Sequence, residues 1–158
     1  MHSRIFQISK EPIYEEDYIK ESRYYDHWFL GSVADYVNED TDRAADIQWL
    51  QHCYDGKGLI FGTDEGGEYF IIEDKIKYFT LNFESFQIAL EELSNITIEG
   101  FASQKSYSNI YALKSAYEDK CGFYVDGDEF GMYSLDGFIR WSDNGTKFYI
   151  GATIDYHF

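Results

Sequence analysis

Apolar and polar residues alternate one by one at the end of the chain. The even positions from 148 onward are Phe148, Ile150, Ala152, Ile154, Tyr156 and Phe158, and the odd positions include Lys147, Thr153, Asp155 and His157. Side chains of a strand point alternately to its two faces, so this period of two predicts a strand with one face toward a core.

Three turn dipeptides separate four aromatic-rich runs in the C-terminal quarter, namely Asp126-Gly127, Asp136-Gly137 and Asn144-Gly145. Such dipeptides favour the positive φ angles of two-residue hairpin turns. A hairpin at Asn144-Gly145 places Trp141 opposite Phe148 and Ile139 opposite Ile150, with both pairs on one face. The pattern therefore predicts an antiparallel β-meander over about 123–158, although the same register continued past Ile139 treats Asp136-Gly137 as strand.

Helical spacing of apolar residues predicts two helices before residue 56. One covers about residues 25–38, although Gly31 inside it costs about 1 kcal/mol relative to Ala. The other begins at a Thr41 N-cap, with Asp42 in its first turn, and stops at Gly56. The apolar residues that carry these patterns are Trp28, Phe29, Val33, Tyr36 and Val37 in the first helix, and Ile47, Leu50 and Tyr54 in the second.

Four further elements complete the prediction. A short strand is expected over 4–9, and a hairpin over about 59–72 with Asp64-Glu65-Gly66-Gly67 as its loop. A third helix is expected to be capped by Asn82, and a fourth to run over about 106–119 until Gly122. Their apolar faces consist of Phe83, Phe86, Leu90 and Leu93 in the third helix, and Tyr107, Ile110, Leu113 and Tyr117 in the fourth.

Together these elements predict one α+β domain over residues 1–158. Three to four helices are expected to pack on one face of an antiparallel sheet, and the polar odd positions predict that the other face meets water. A length of 158 residues and 44% hydrophobic residues are typical of one core. There is no linker-like stretch, and the only proline is Pro12.

The formal net charge of −16 narrows the classes of partner. Nucleic acid and the anionic leaflet of a membrane are polyanions and would be repelled, so direct binding to either is not expected. Aromatic residues reach 20% of the chain, which argues against disorder despite the charge. A basic protein remains as the expected kind of partner.

Compartment is predicted from apolar runs and cysteines. The N-terminus has no run of signal-peptide length, and no stretch approaches the roughly 20 apolar residues that span a bilayer. Cys53 and Cys121 are too few and too far apart to suggest a disulfide scaffold, so two reduced thiols are expected. These features predict a cytoplasmic protein.

Known chemical motifs give no catalytic residue, metal site or cofactor. The run that begins at Asp126 resembles a calcium loop, but positions five and twelve hold Phe130 and Gly137 instead of oxygen ligands. The four histidines and two cysteines show no zinc spacing, although Cys121 could still meet a histidine in space. No glycine-rich phosphate loop occurs. With 29 acidic residues, close carboxylate pairs are expected by chance.

The acidic residues concentrate between Glu11 and Asp55, where twelve carboxylates face only Lys20, Arg23 and Arg43. Because the apolar spacing commits one side of this region to the core, the carboxylates are expected to project from the other side. Tyrosines interleave with them, as at protein interfaces. The predicted partner-binding face consists of Glu15, Glu16, Asp17, Asp35, Glu39, Asp40, Asp42 and Asp46.

This face predicts an acidic binding protein that occupies a basic surface of another protein, for example a nucleic-acid-binding surface. Inhibitors of nucleic-acid enzymes and immunity proteins that neutralise nucleases are examples of the class. Three alternatives stay open from the sequence. The charge could only keep the protein soluble, an aromatic sheet face could bind a partner, or scattered polar residues could form an enzyme site.

Overall fold

Strand β7, Lys147–His157, lies in the middle of a seven-stranded sheet in the computed structural model, which describes residues 1–158. Strand β1, His2–Ser9, pairs with one edge of β7. The other edge pairs with β4, Gly67–Ile72, at its start and with β2, Tyr36–Asn38, at its end. Outside these strands lie β3 (Leu59–Asp64), which pairs with β4, β5 (Tyr124–Gly127), which pairs with β1, and β6 (Gly131–Ser134), which pairs with β5. Only the β1–β5 pair is parallel.

Five α-helices and two single-turn 3-10 helices connect the strands. The α-helices are α1 (Arg43–Tyr54), α2 (Lys75–Ser94), α3 (Ile98–Phe101), α4 (Gln104–Tyr117) and α5 (Leu135–Trp141), and the 3-10 helices are Glu15–Asp17 and Glu21–Tyr24. No helix is both long enough and apolar enough to cross a membrane.

The predicted α+β class and several of its elements are confirmed. The expected hairpin is β3–β4, whose turn is Glu65-Gly66 because Asp64 pairs with Gly67. Residues 4–9 lie in β1, and the helix expected after Thr41 is α1. Its N-cap is Asp42 instead of Thr41, since the Asp42 carboxylate accepts the Ala45 N–H at 3.1 Å.

Because of a β-bulge, the alternating apolar residues of β7 do not all lie on one face of the sheet. Phe6 lies opposite Thr153 and Ile8 opposite Ile150, so two steps along β1 match three along β7. The even positions on either side of this irregularity therefore face opposite sides of the sheet. Phe148 and Ile150 belong to one core cluster, whereas Ile154 and Tyr156 belong to another.

The meander predicted over 123–158 is wrong in its middle part, because residues 135–141 form α5. The Ser134 side chain caps this helix by accepting the Gly137 N–H at 3.0 Å. Trp141 is 85% exposed and does not pair with Phe148, which lies opposite Phe70 of β4. Gly145 does turn the chain at φ +85°, but the turn joins a helix to a strand.

The dipeptide Asp126-Gly127 is also not a turn, since it ends β5. The connection to β6 is formed by residues 128–130, after which Gly131 takes a φ of +75°. The dipeptide therefore correctly predicted a chain reversal in this region, but the reversal lies a few residues later than predicted.

The helix predicted over 25–38 is replaced by turns and by β2. Gly31 has a φ of +84°, which breaks helical geometry at the position that already weakened the prediction. Phe29 and Val37 are buried, but Trp28 and Tyr36 are 54% and 48% exposed. The irregular segment therefore buries only part of the apolar set on which the helix prediction depended.

Helix α2 begins seven residues before the predicted Asn82 cap. The Asp74 carboxylate accepts the N–H groups of Ile76 and Lys77 at 2.9 and 3.1 Å and so caps the helix. Asn82 lies inside it. Helix α4 agrees with the fourth predicted helix, although its C-cap is Glu118 and not Gly122.

Core clusters lie on both faces of the sheet at β1, β5 and β7, so the predicted water-exposed face is not present there. One cluster is formed by β-strand residues with α1, α5 and Tyr78 of α2. The other is covered by the irregular segment that contributes Tyr24, Phe29, Ala34 and Val37. The chain before α1 is thus a structural layer as well as the carrier of the negative charge.

Candidate functional site

Six predicted carboxylates form what we call the acidic surface. Glu15, Glu16 and Asp17 make up the first 3-10 helix, and Glu39, Asp40 and Asp42 lie in the link between β2 and α1. All six residues are exposed. Glu15, Glu16 and Glu39 line one groove of about 430 Å³, together with Thr41 and Thr153. The fold therefore brings two acidic segments, more than twenty residues apart in sequence, to one place.

Gln7 holds the first acidic segment in position. Its Nε2 donates to the Asp17 carbonyl at 2.9 Å, and its Oε1 accepts the N–H groups of Ile19 and Ala152 at 3.1 and 3.0 Å. The side chain is 8% exposed and fills the bulge of β7. Gly151 leaves room for it, since a Cβ there would lie 2.5 Å from the Gln7 Oε1.

The second acidic segment is fixed by threonine and carboxylate bonds. The Thr41 hydroxyl lies 2.7 Å from that of Thr153. The Glu21 N–H donates to the Glu39 carboxylate at 2.9 Å, and the Glu39 N–H donates back to Glu21 at 3.1 Å. Hydrogen bonds from the Tyr25 hydroxyl and from the Glu39 N–H lower the pKa of Glu21, so its negative charge is stabilised beside the acidic surface.

The two arginines of this region bond to groups outside the acidic surface, although Arg43 also lines the groove that contains Glu15, Glu16 and Glu39. Arg43 donates to the carbonyls of Gly151 and Ile150 at 2.6 and 2.7 Å and to Glu68 at 2.9 Å. Arg23 donates to Asp126 at 2.7 and 3.2 Å, and its Nη1 lies 3.0 Å from Asp128. Lys20 makes no ion pair. No carboxylate of the acidic surface therefore forms an ion pair, although Lys20 and Arg43 line the same groove as Glu15, Glu16 and Glu39.

Two of the eight predicted site residues lie elsewhere. Asp46 is only 4% exposed, because the first turn of α1 directs it to the sheet, where Arg4 and Thr153 donate to it at 2.6 and 2.8 Å. Asp35 is exposed near the end of β7, with its carboxylate 3.4 Å from the His157 Nδ1. Asp46 is a structural ion-pair partner, and its assignment to an exposed face is wrong.

The interleaved tyrosines divide into buried and exposed ones. Tyr24 is fully buried and its hydroxyl donates to Asp126 at 3.0 Å, while burial raises its pKa. Tyr14 and Tyr25 are 60% and 59% exposed and flank the acidic surface in sequence. Sequence reasoning could not separate these roles, because all of them share the same local composition.

Other candidate chemistry is dispersed. No group of three or more His, Cys, Asp or Glu residues is arranged to hold a metal ion. Asp126, the first residue of the calcium-like run, is 3% exposed and engaged by Arg23. Cys53 and Cys121 are free and partly buried, and burial raises the pKa of the Cys121 thiol.

One buried carboxylate outside the acidic surface has a perturbed pKa. Burial raises the pKa of Asp136, which accepts the Tyr78 hydroxyl at 2.9 Å and the Asp119 N–H at 3.3 Å. The side chain joins α5 to α2 through the Tyr78 hydroxyl. Its surroundings are those of a structural contact.

Comparison of the chain with protein-family models, with curated proteins and with solved structures finds no match. The functional argument therefore rests on the geometry and charge of this chain.

Proposed function

We propose that the protein is an acidic binding protein whose acidic surface occupies a basic surface of another protein, as an inhibitor or immunity-type protein does. The observation that carries the proposal is that none of the six carboxylates of the acidic surface forms an ion pair within the chain. Arg23 pairs with Asp126 and Asp128, and Arg43 bonds to Glu68 and two backbone carbonyls, which leaves the exposed carboxylates available to a partner.

Rigidity of the two acidic segments supports the proposal. Gln7 ties the first segment to β7, and the Thr41–Thr153 contact ties the second to the same strand. A surface that is already ordered loses less conformational entropy when it binds. Closely spaced carboxylates also resemble a phosphate backbone electrostatically, which favours a nucleic-acid-binding surface as the target.

The proposed setting is the cytoplasm. Cys53 and Cys121 are both free, and a reducing compartment keeps such thiols from forming disulfides. The rival interpretation that an aromatic sheet face binds a partner has less support, because core clusters cover both faces of the sheet at β1, β5 and β7.

The test is an affinity capture from lysate of the source cell with three proteins in parallel. The first is the wild type, and the second carries Glu15→Gln, Glu16→Gln and Asp17→Asn. The control carries Glu73→Gln, Glu99→Gln and Asp143→Asn, which removes three charges from exposed residues elsewhere. We expect the wild type and the control to retain the same basic protein, and the acidic-surface variant to lose it.

The salt concentration is the second variable of this experiment. Between about 50 and 500 mM salt the Debye length falls roughly threefold, so an electrostatic complex should be retained at the lower value and largely lost at the higher. Equal loss of the partner in both triple variants would mean that only overall charge matters. A partner retained equally by all three proteins at both salts would contradict the proposal.

A further inference from the structure

Helices α2 and α4 form a hairpin that exposes an unusual number of large apolar side chains. They pack mainly against each other, and α2 buries only Tyr78 and Ala89 among its 20 residues. The exposed large apolar residues of α2 are Ile76, Leu81, Phe83, Ile88 and Leu90. Ile76, Phe83 and Leu90 lie on one side of the helix and Leu81 and Ile88 on another, and an exposed apolar stripe of this kind typically marks an interaction site.

Part of this surface follows a heptad pattern. Ile76, Phe83 and Leu90 are seven residues apart, and Phe79, Phe86 and Leu93 lie between and after them at alternating spacings of three and four. The second set is partly buried, whereas the first set is 80%, 57% and 50% exposed. We call Ile76, Phe83 and Leu90 the α2 seam. Such a seam is what pairing of two helices requires.

The hairpin is also electrically neutral within a strongly acidic chain. Residues 75–117 contain four lysines and four glutamates, so the net charge of −16 is carried entirely by the remaining residues. Two copies of the chain can therefore approach through this hairpin without adding repulsion at the contact itself.

The order of the charged residues along α2 favours one relative orientation of the helices of two copies. Lys77, Glu84 and Glu91 each follow a seam residue and form a row beside it. Positive charge at the start of a helix and negative charge at its end oppose the helix macrodipole, so this order costs stability in the isolated chain. In an antiparallel pair the same order becomes favourable, because Lys77 meets Glu91 of the second copy at both ends.

We propose that α2 binds α2 of a second copy in antiparallel orientation, with Phe83 near the two-fold axis. In a parallel pair, Lys77, Glu84 and Glu91 would each lie beside the same residue of the second copy, so like charges would face each other. The two-fold arrangement is isologous, so one surface serves both partners. A 20-residue helix is about 30 Å long, which places the interface at the small end of specific contacts and predicts micromolar association.

A groove beside the seam is suited to receive side chains of the second copy. It has a volume of about 670 Å³ and is lined in part by Ile76, Phe79, Phe83 and Arg140. The Arg140 guanidinium carbon lies 4.5 Å from the centre of the Phe79 ring, so a planar cation packs against this ring at the start of α2. Antiparallel pairing brings Leu90 of the second copy to this end.

The first test compares two substitutions on one helix by sedimentation equilibrium. Phe83→Asp alters the seam, and Leu81→Asp alters an equally exposed residue on another side of α2, so neither should unfold the chain. We expect a mass of twice 18.6 kDa for the wild type and for Leu81→Asp at about 100 μM. The Phe83→Asp variant should associate more than about tenfold more weakly.

The second test fixes the orientation. Lys77→Glu and Glu91→Lys should each weaken self-association, because each places like charges opposite one another at both ends. An equimolar mixture of the two variants should restore a dimer containing one copy of each. In addition, Glu84→Gln should strengthen self-association, since Glu84 lies opposite its equivalent near the two-fold axis.

Three outcomes would overturn the proposal. These are a wild type that stays monomeric at about 100 μM, equal effects of Phe83→Asp and Leu81→Asp, and a mixture that fails to restore the dimer. A monomeric wild type would leave the seam to a different protein. Binding of a basic protein to the acidic surface is measured separately and does not depend on any of these results.

Discussion

At the scale of single residues, three polar side chains fix the position of segments that have no regular secondary structure, and of the three Gln7 is buried while Arg43 and Arg23 are partly exposed. Gln7, Arg43 and Arg23 bind backbone and carboxylate groups that lie far away in sequence, and so hold the irregular chain before α1 against the sheet. Gln7 looks like an ordinary polar residue of a strand pattern. Only the bulge in β7 gives it three partners.

We expect Gln7→Ala to loosen the first acidic segment. The substitution leaves the buried N–H groups of Ile19 and Ala152 without an acceptor, which costs about 1–3 kcal/mol. Amide exchange of Ile19, followed by NMR, should accelerate strongly, and urea unfolding should show the loss of stability. Gln51→Ala, at an exposed position of α1, is the control and should change stability by less than about 0.5 kcal/mol. An unchanged Ile19 exchange rate would show that other contacts hold the segment.

At the scale of elements, the prediction was correct where the sequence pattern fitted only one kind of element, and it failed where the pattern fitted both a strand and a helix. The β3–β4 hairpin and α1 combine apolar spacing with turn or cap residues, and both are confirmed. Leu135, Phe138 and Ile139 suit a strand or a short helix, and Ser134 as a cap decides for the helix. Short apolar runs carry no period long enough to separate these alternatives.

The sequence predicted that an acidic surface exists, but it predicted only some of its residues correctly. Six of the eight chosen carboxylates lie on it, because loops and 3-10 turns leave charged side chains in water. Asp46 was misplaced because its partner Arg4 is 42 residues away in sequence and is joined to it only by the sheet. Glu21, which exchanges backbone contacts with Glu39, was not selected for the same reason.

The contact between α2 and α5 should make stability depend on pH through Asp136. Burial raises the folded-state pKa of this carboxyl above its unfolded value, so its contribution to stability is present at low pH and is lost as the pH rises through the folded-state pKa. Asp136→Asn removes this loss. Relative to wild type, the variant's free energy of unfolding should therefore rise as the pH is raised from about 3.9, the ordinary pKa of an aspartate, through the higher folded-state pKa. Urea unfolding at several pH values measures the difference, and a constant or falling difference would contradict the assignment.

At the scale of the whole molecule, charge and apolar surface are separated. The hairpin of α2 and α4 is neutral and exposes apolar residues, whereas the rest of the chain carries the net charge of −16. The α2 seam and the acidic surface have no residue in common. The self-association and the partner binding that we propose therefore use different parts of the molecule and are compatible.

The negative charge should make the folded state less stable at low ionic strength. Like charges in a compact chain repel each other, and the Debye length falls from about 30 Å at 10 mM to about 6 Å at 300 mM NaCl. We expect the free energy of unfolding, measured by urea titration, to rise over this range. The Glu15→Gln, Glu16→Gln, Asp17→Asn variant should be more stable than wild type at 10 mM NaCl and should show a weaker salt dependence. Stability that fell with salt would instead show that ion pairs such as Arg4–Asp46 outweigh the repulsion among exposed carboxylates. Under that outcome the repulsion among the carboxylates of the acidic surface would lower the free energy of unfolding only slightly.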